Sequence, residues 1–119
     1  MPLSGIAPYI HGEAATFIPN SSFAQEIVLI SCAKSDRALF YTTRGIIESK
    51  MTLRDIESLL SPLGFFRTHK GYIVNLSMIQ EIQNQDNGTL LLTLSHSPRE
   101  KVTVSRHYIK DFKNTLHLV

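Results

Sequence analysis

From residue 25 onward the apolar positions fall into short clusters, and the spacing within them passes from continuous or alternating to roughly every third or fourth residue and back. Ile27-Val28-Leu29-Ile30 is an unbroken apolar run between polar neighbours, the pattern of a strand buried on both faces. The polar turn Lys34-Ser35-Asp36-Arg37 and the run Ala38 to Thr42 extend it into a predicted hairpin, with a third short strand over Ile46 to Ser49. The spacing then becomes helical. Leu53, Ile56, Leu59 and Leu60 share one face, Thr52 can cap the free N–H groups, and Asp55 sits in the first turn, where the helix dipole favours an anion. Pro62 and Gly64 stop this helix, and the proline pushes Ser61 out of helical geometry, so it should end at Leu60 or Ser61.

After Gly64 the chain becomes extended again. Phe65-Phe66-Arg67-Thr68-His69-Lys70-Gly71-Tyr72-Ile73-Val74-Asn75-Leu76 joins two aromatic and β-branched runs through a short basic interruption, which predicts strand, bend, strand. Met78 to Gln83 continues extended, Asp86-Asn87-Gly88 supplies the residues a tight hairpin turn demands, and Thr89 to Leu94 returns. Ser97-Pro98-Arg99-Glu100 predicts a further turn into Val102-Thr103-Val104, completing a three-stranded meander. Ser105 then caps a final helix with Tyr108, Ile109, Phe112 and Leu116 on its apolar face. Residues 1–24 are punctuated by Pro2, Gly5, Pro8, Gly12 and Pro19 and form an N-terminal extension or edge hairpin, with at most short strands at Ile6 to His11 and Ala14 to Ile18. The expectation is a mainly β fold with two short helices on antiparallel sheets, carried by residues 25–119.

Composition narrows the class. A chain of 119 residues with 43% apolar and 18% charged residues is an ordinary globular domain with one core. No apolar run exceeds four residues, so no membrane span is expected, and no basic-then-apolar leader opens the chain. The single Cys32 excludes an internal disulfide or a cysteine zinc site and suits a reducing cytoplasm. The formal charge of +2 is modest, but its distribution is uneven. Residues 1–64 carry five Lys/Arg against six Asp/Glu, whereas residues 65–119 carry seven against four. The excess positive charge lies in the half that holds the basic interruption.

That dodecamer, followed by Ile79-Gln80-Glu81-Ile82, resembles the signature of the LytTR-type DNA-binding domain of bacterial response regulators. There an aromatic-Arg-x-His-[Arg/Lys/Asn]-[Ser/Gly]-aromatic-[Ile/Val]-Val-Asn block precedes an Ile-x-x-Ile repeat. The similarity runs upstream through Ile27 to Thr42 and Leu53-x-x-Ile56-Glu57-x-x-Leu60, and downstream to Val104-Ser105-Arg106, or roughly residues 25–116 within the usual boundary error. It implies an elongated stack of small antiparallel sheets whose strand-connecting loops enter successive major grooves and bend the duplex. It also implies two copies side by side on promoter direct repeats. A chain of this length has no room for a receiver domain as well, and both a freestanding regulator and a piece of a longer chain with a receiver or sensor-kinase partner stay open.

Three loops at strand ends carry the candidate DNA contacts. Carried over position by position, Lys70 takes the variable basic or amide place after the signature histidine and Arg106 the arginine of Val-Ser-Arg, while Asp36-Arg37 takes a turn that often reads Asn-Tyr. Arg106 has the planar fork that pairs with guanine O6 and N7; Lys70 does the same more loosely. Lys34, His69, the Ser105 hydroxyl and the Gly71 N–H suit phosphate oxygens. Asp36 either accepts from cytosine N4 or orients Arg37. Gly71 and Arg37 depart from the commonest family pattern of serine and an aromatic, which leaves site preference open. Against these stand plainer readings: a loop cation is usually just solvated, Arg67 fits a salt-bridged sheet residue, Asn75 fits a backbone turn, and His69 a packed shaper of the bend.

Enzymatic signals are weak, and no cofactor or metal is expected. Ser31-Cys32-Ala33-Lys34 matches Ser-x-x-Lys but lies at a strand end without its partner motifs, and the five histidines show no metal-ligand spacing. The rival from another class is a β-rich protein-interaction module that docks a sensor or inhibitor protein. Salt separates the two, because phosphate contacts weaken steeply with ionic strength and an apolar docking surface hardly responds.

Overall fold

The computed structural model describes residues 21–32 and 37–117. The apolar run becomes strand β1 (Ile27–Ser31), buried along its whole length at the centre of a five-stranded antiparallel sheet. Its neighbours are β2 (Ala38–Thr42) and then β3 (Gly45–Ser49) on one side, and β5 (Tyr72–Asn75) and then β4 (Phe65–His69) on the other. A three-stranded meander of β6 (Ile79–Asn84), β7 (Leu90–Leu94) and β8 (Ser97–Val104) forms the second sheet. The molecule measures 42 × 28 × 26 Å, elongated as expected.

The larger sheet is covered on both faces, which is why β1 has no polar alternation. On one face lies a core of Phe23, Ile27, Ile30, Phe40, Ile73 and the buried stripe of helix α2 (Leu53–Leu60), with α1 (Ser21–Ala24) closing its edge. On the other face Val28, Leu29 and Val74 pack against Leu90, Leu92 and Leu94 of β7, Val102 and Val104 of β8, and Phe112 of helix α3 (Arg106–Thr115). A bulge in β1 between Ile27 and Leu29 explains how two consecutive residues reach the same core. The alternating burial of β7 matches a strand with one face on this core and one toward solvent.

Thr52 caps α2 as its sequence predicts, its Oγ1 accepting from the Asp55 N–H at 3.1 Å. Leu53, Ile56 and Leu60 are buried, but Leu59 falls on the rim of the stripe and is 39% exposed. A 3-10 turn, Ser61–Leu63, follows, and Gly64 closes it in left-handed geometry at φ 94°. In the β6–β7 loop only Gly88 adopts positive φ; Asn87 contributes through its Oδ1, which accepts from the Thr89 N–H and hydroxyl.

Two expectations are corrected. The turn predicted at Ser97–Glu100 lies two residues earlier, at Ser95-His96, where His96 takes φ 65°. Residues 97–100 instead begin β8, because the register jumps from Leu94 opposite Ser97 to Thr93 opposite Lys101, and this bulge accommodates Pro98 on an edge strand. Ser105 stands at the N-cap of α3 with extended backbone, yet its side chain makes no capping bond. The strands anticipated at Ile6–His11 and Ala14–Ile18 and the turn residues Lys34, Ser35 and Asp36 lie outside the described residues.

Candidate nucleic-acid interface

The antiparallel topology brings the end of β1, the β4–β5 turn, the β8–α3 junction and the β6–β7 loop to one end of the molecule. Backbone bonds join them in sequence. The Cys32 N–H donates to the Gly71 carbonyl at 2.9 Å, and the Ser105 N–H donates to the Thr68 carbonyl at 3.0 Å. Gly88 lies beneath the aliphatic stem of Arg106, where a Cβ would stand 3.4 Å from Arg106 Cδ.

The Thr68 link depends on a bulge. In β4, Arg67 opposes Ile73 and His69 opposes Tyr72, so Thr68 is the extra residue. A bulged residue drops out of the ladder. Its carbonyl is therefore available to the second sheet, and the segments that carry Lys70 and Arg106 are cross-linked close to both side chains.

Lys70 and Arg106 are exposed, each one or two residues beyond the Thr68–Ser105 bond. His69 is half-buried, its Nδ1 accepting from the Gly71 N–H at 3.2 Å and its ring edge-to-face with Tyr72. That bond makes His69 a shaper of the bend and occupies the Gly71 N–H that sequence reasoning assigned to phosphate. Ser105 is half-buried with its backbone N–H engaged. Arg37 stands 3.5 Å from Glu48 of β3 in a partly exposed ion pair. Lys34 and Asp36 fall outside the described residues.

Arg67 fits the sheet residue anticipated, and it also reaches the turn. Its Nη1 lies 3.4 Å from Glu57 Oε1 on α2, and its Nη2 donates to the Lys70 carbonyl at 2.7 Å. Sequence reasoning paired it with no partner; the only signal was its alternation with Phe66. Burial pushes the Cys32 thiol pKa up, partly offset by the Arg67 guanidinium. Asn75 satisfies backbone as expected: its Nδ2 donates to the Ile27 carbonyl at 2.8 Å and its Oδ1 accepts from the Ser77 N–H at 3.0 Å. Ser31 ends β1 and is buried, not at a helix start where Ser-x-x-Lys chemistry would need it.

A β framework that gathers the β4–β5 turn, the β8–α3 junction and the β6–β7 loop at one end, with Lys70 on a turn and Arg106 at the first position of α3, defines a loop-presenting β module. The comparisons give that class its family. The LytTr DNA-binding domain matches residues 23–117, and the chain belongs to that family. It is 36% identical over 94 residues to the sensory transduction protein LytT of Enterococcus faecalis, covering 79% of this chain and 38% of that protein. It is 38% identical over 78 residues to the transcriptional regulatory protein YpdB of Escherichia coli K12, covering 66% of this chain and 32% of that one. The solved LytTr DNA-binding domain of a response regulator from Bacillus cereus superposes with a TM-score of 0.71 at 27% identity, covering 78% of this chain and 83% of that one. The chain thus spans about a third of the length of these curated relatives. Among the described residues no helix is long and apolar enough to cross a membrane.

Proposed function

We propose that this domain binds duplex DNA at a specific sequence, bends it, and serves as the reading module of a transcription regulator in the bacterial cytoplasm. The observation that carries this reading is the cross-link between Thr68 and Ser105, beside which two exposed cationic side chains stand, Lys70 on the β4–β5 turn and Arg106 at the start of α3. Arg106 reads guanine through its fork, with its stem resting on Gly88; Lys70 reads a second position from the β4–β5 turn. Lys34, the Nε2 edge of His69 and the Ser105 hydroxyl meet phosphates and set register. Asp36 and Arg37 are assigned by sequence to the third contact turn, and Arg37 forms a partly exposed ion pair with Glu48. Gly71 contributes its carbonyl, which accepts from the Cys32 N–H, its own N–H being engaged by His69.

Because LytTR-like domains recognise direct repeats, two copies lie side by side on the promoter. The receiver or sensor kinase that controls them belongs to the remainder of a longer chain or to a partner. The test is a duplex selected from a random library by the parent domain. Lys70→Ala and Arg106→Ala should each weaken binding to it by ~1–3 kcal/mol while leaving the unfolding midpoint unchanged. Parent-like affinity in both variants would overturn the contact assignment.

A further inference from the structure

Besides His69, a second side chain, Arg67, holds the β4–β5 turn, and it is not one of the candidate DNA contacts. Three different partners bind the backbone of Lys70 and Gly71: the Lys70 carbonyl accepts from Arg67 Nη2, the Gly71 N–H donates to His69 Nδ1, and the Gly71 carbonyl accepts from the Cys32 N–H. Of the three, the Arg67 bond is the shortest and the only one that also reaches a helix, through Glu57. A guanidinium can bind a carbonyl and a carboxylate at once because its donors form a fixed planar fork, which an ammonium does not.

Arg67 is also held at a cost. Its Nε is buried with no hydrogen-bond partner, as is the Thr68 hydroxyl beside it. Such orphans are uncommon and call for a reason other than stability. The side chain is 21% exposed and directed to the turn's own carbonyl, so its donors face inward and not toward a phosphate backbone.

We propose that Arg67 is a positioning residue for base reading: braced by Glu57, its guanidinium sets the Lys70–Gly71 turn so that the Lys70 ammonium meets its base edge. This rests on the DNA-binding reading above and names a specificity determinant within it. The same side chain lies one residue before the Thr68 bulge, so it also stabilises the segment that is tied to Ser105 and Arg106.

The test compares Arg67→Lys, which keeps the charge and loses the fork, with the parent, Lys70→Ala and the double variant. Affinities for the selected duplex and for a random duplex are measured across a salt series. In Arg67→Lys the ratio of selected to random affinity should fall by roughly five- to ten-fold, the scale of one misplaced base contact. Random-duplex affinity and the salt slope should stay at parental values. The double variant should lose no more discrimination than Lys70→Ala alone. A slope reduced by about one unit, with both affinities falling together, would make Arg67 a phosphate contact and overturn the inference. So would a lowered unfolding midpoint with an unchanged ratio, which marks a purely structural residue. Should Arg67→Lys fail to fold, Glu57→Gln removes only the brace, and its ratio should fall in the same direction; an unchanged ratio there sinks the idea equally. A Lys70→Ala variant that keeps the parental ratio shows separately that the base-reading assignment has failed, and it leaves Arg67 nothing to position.

Discussion

Asn75 shows how one polar side chain in a core can be required by the backbone around it. It is only 4% exposed, and its amide bridges the Ile27 carbonyl to the Ser77 N–H and hydroxyl. Ser77 lies in the 3-10 turn Leu76–Met78 that follows β5, and Ile27 opens β1 just before its register with β5 begins at Leu29, so the asparagine links the two where that pairing stops. Asn75→Ala should therefore destabilise the domain by ~1–3 kcal/mol in urea denaturation, the cost of leaving buried donors and acceptors unpaired. DNA discrimination should not change, because the residue lies at the end of β5 away from the reading turn. The asparagine was legible in sequence as a backbone satisfier. Its partner Ile27 was not, because 48 residues separate the two and no local pattern announces the pairing.

At the scale of elements, local chemistry and burial agree best in α2. Thr52, Asp55 and the apolar stripe place its start, and the bond from the Asp55 N–H to Thr52 Oγ1 bears it out. Thr52→Ala should lower stability by ~1 kcal/mol with little change in DNA affinity, read as a shift in unfolding midpoint at constant denaturant slope. The serine before α3 looks equivalent and is not, since its side chain makes no capping bond while its N–H is drawn to Thr68. Bulges were the elements least visible beforehand. Those in β1, β4 and β8 obey no residue signature, and Pro98 misled the reading of β8 because a proline signals a turn and an edge bulge equally well.

For the whole molecule, two cores flank one sheet, and Lys70 and Arg106 belong to neither, both being exposed. These two residues can therefore be substituted without repacking the interior. Affinity for random duplex should fall linearly with salt on logarithmic axes, each neutralised phosphate contributing about 0.9 to the slope. Affinity that barely responds to salt would instead point to an apolar docking surface. The modest total charge makes this measurement informative, because the attraction must come from how charges are gathered and not from how many there are.

The sequence by itself determined the class: periodicities of two and three to four residues, interrupted by turn residues, specify which side chains must be buried and hence a β framework with two covering helices. It also supplied the family signature, because that block is contiguous. Tertiary structure alone decided that Thr68 meets Ser105, that Gly88 lies under Arg106, and that Arg67 spans from Glu57 to the Lys70 carbonyl. Such contacts join residues ten to forty apart or follow from a bulge, and they form only once the sheets have set which strand ends lie together.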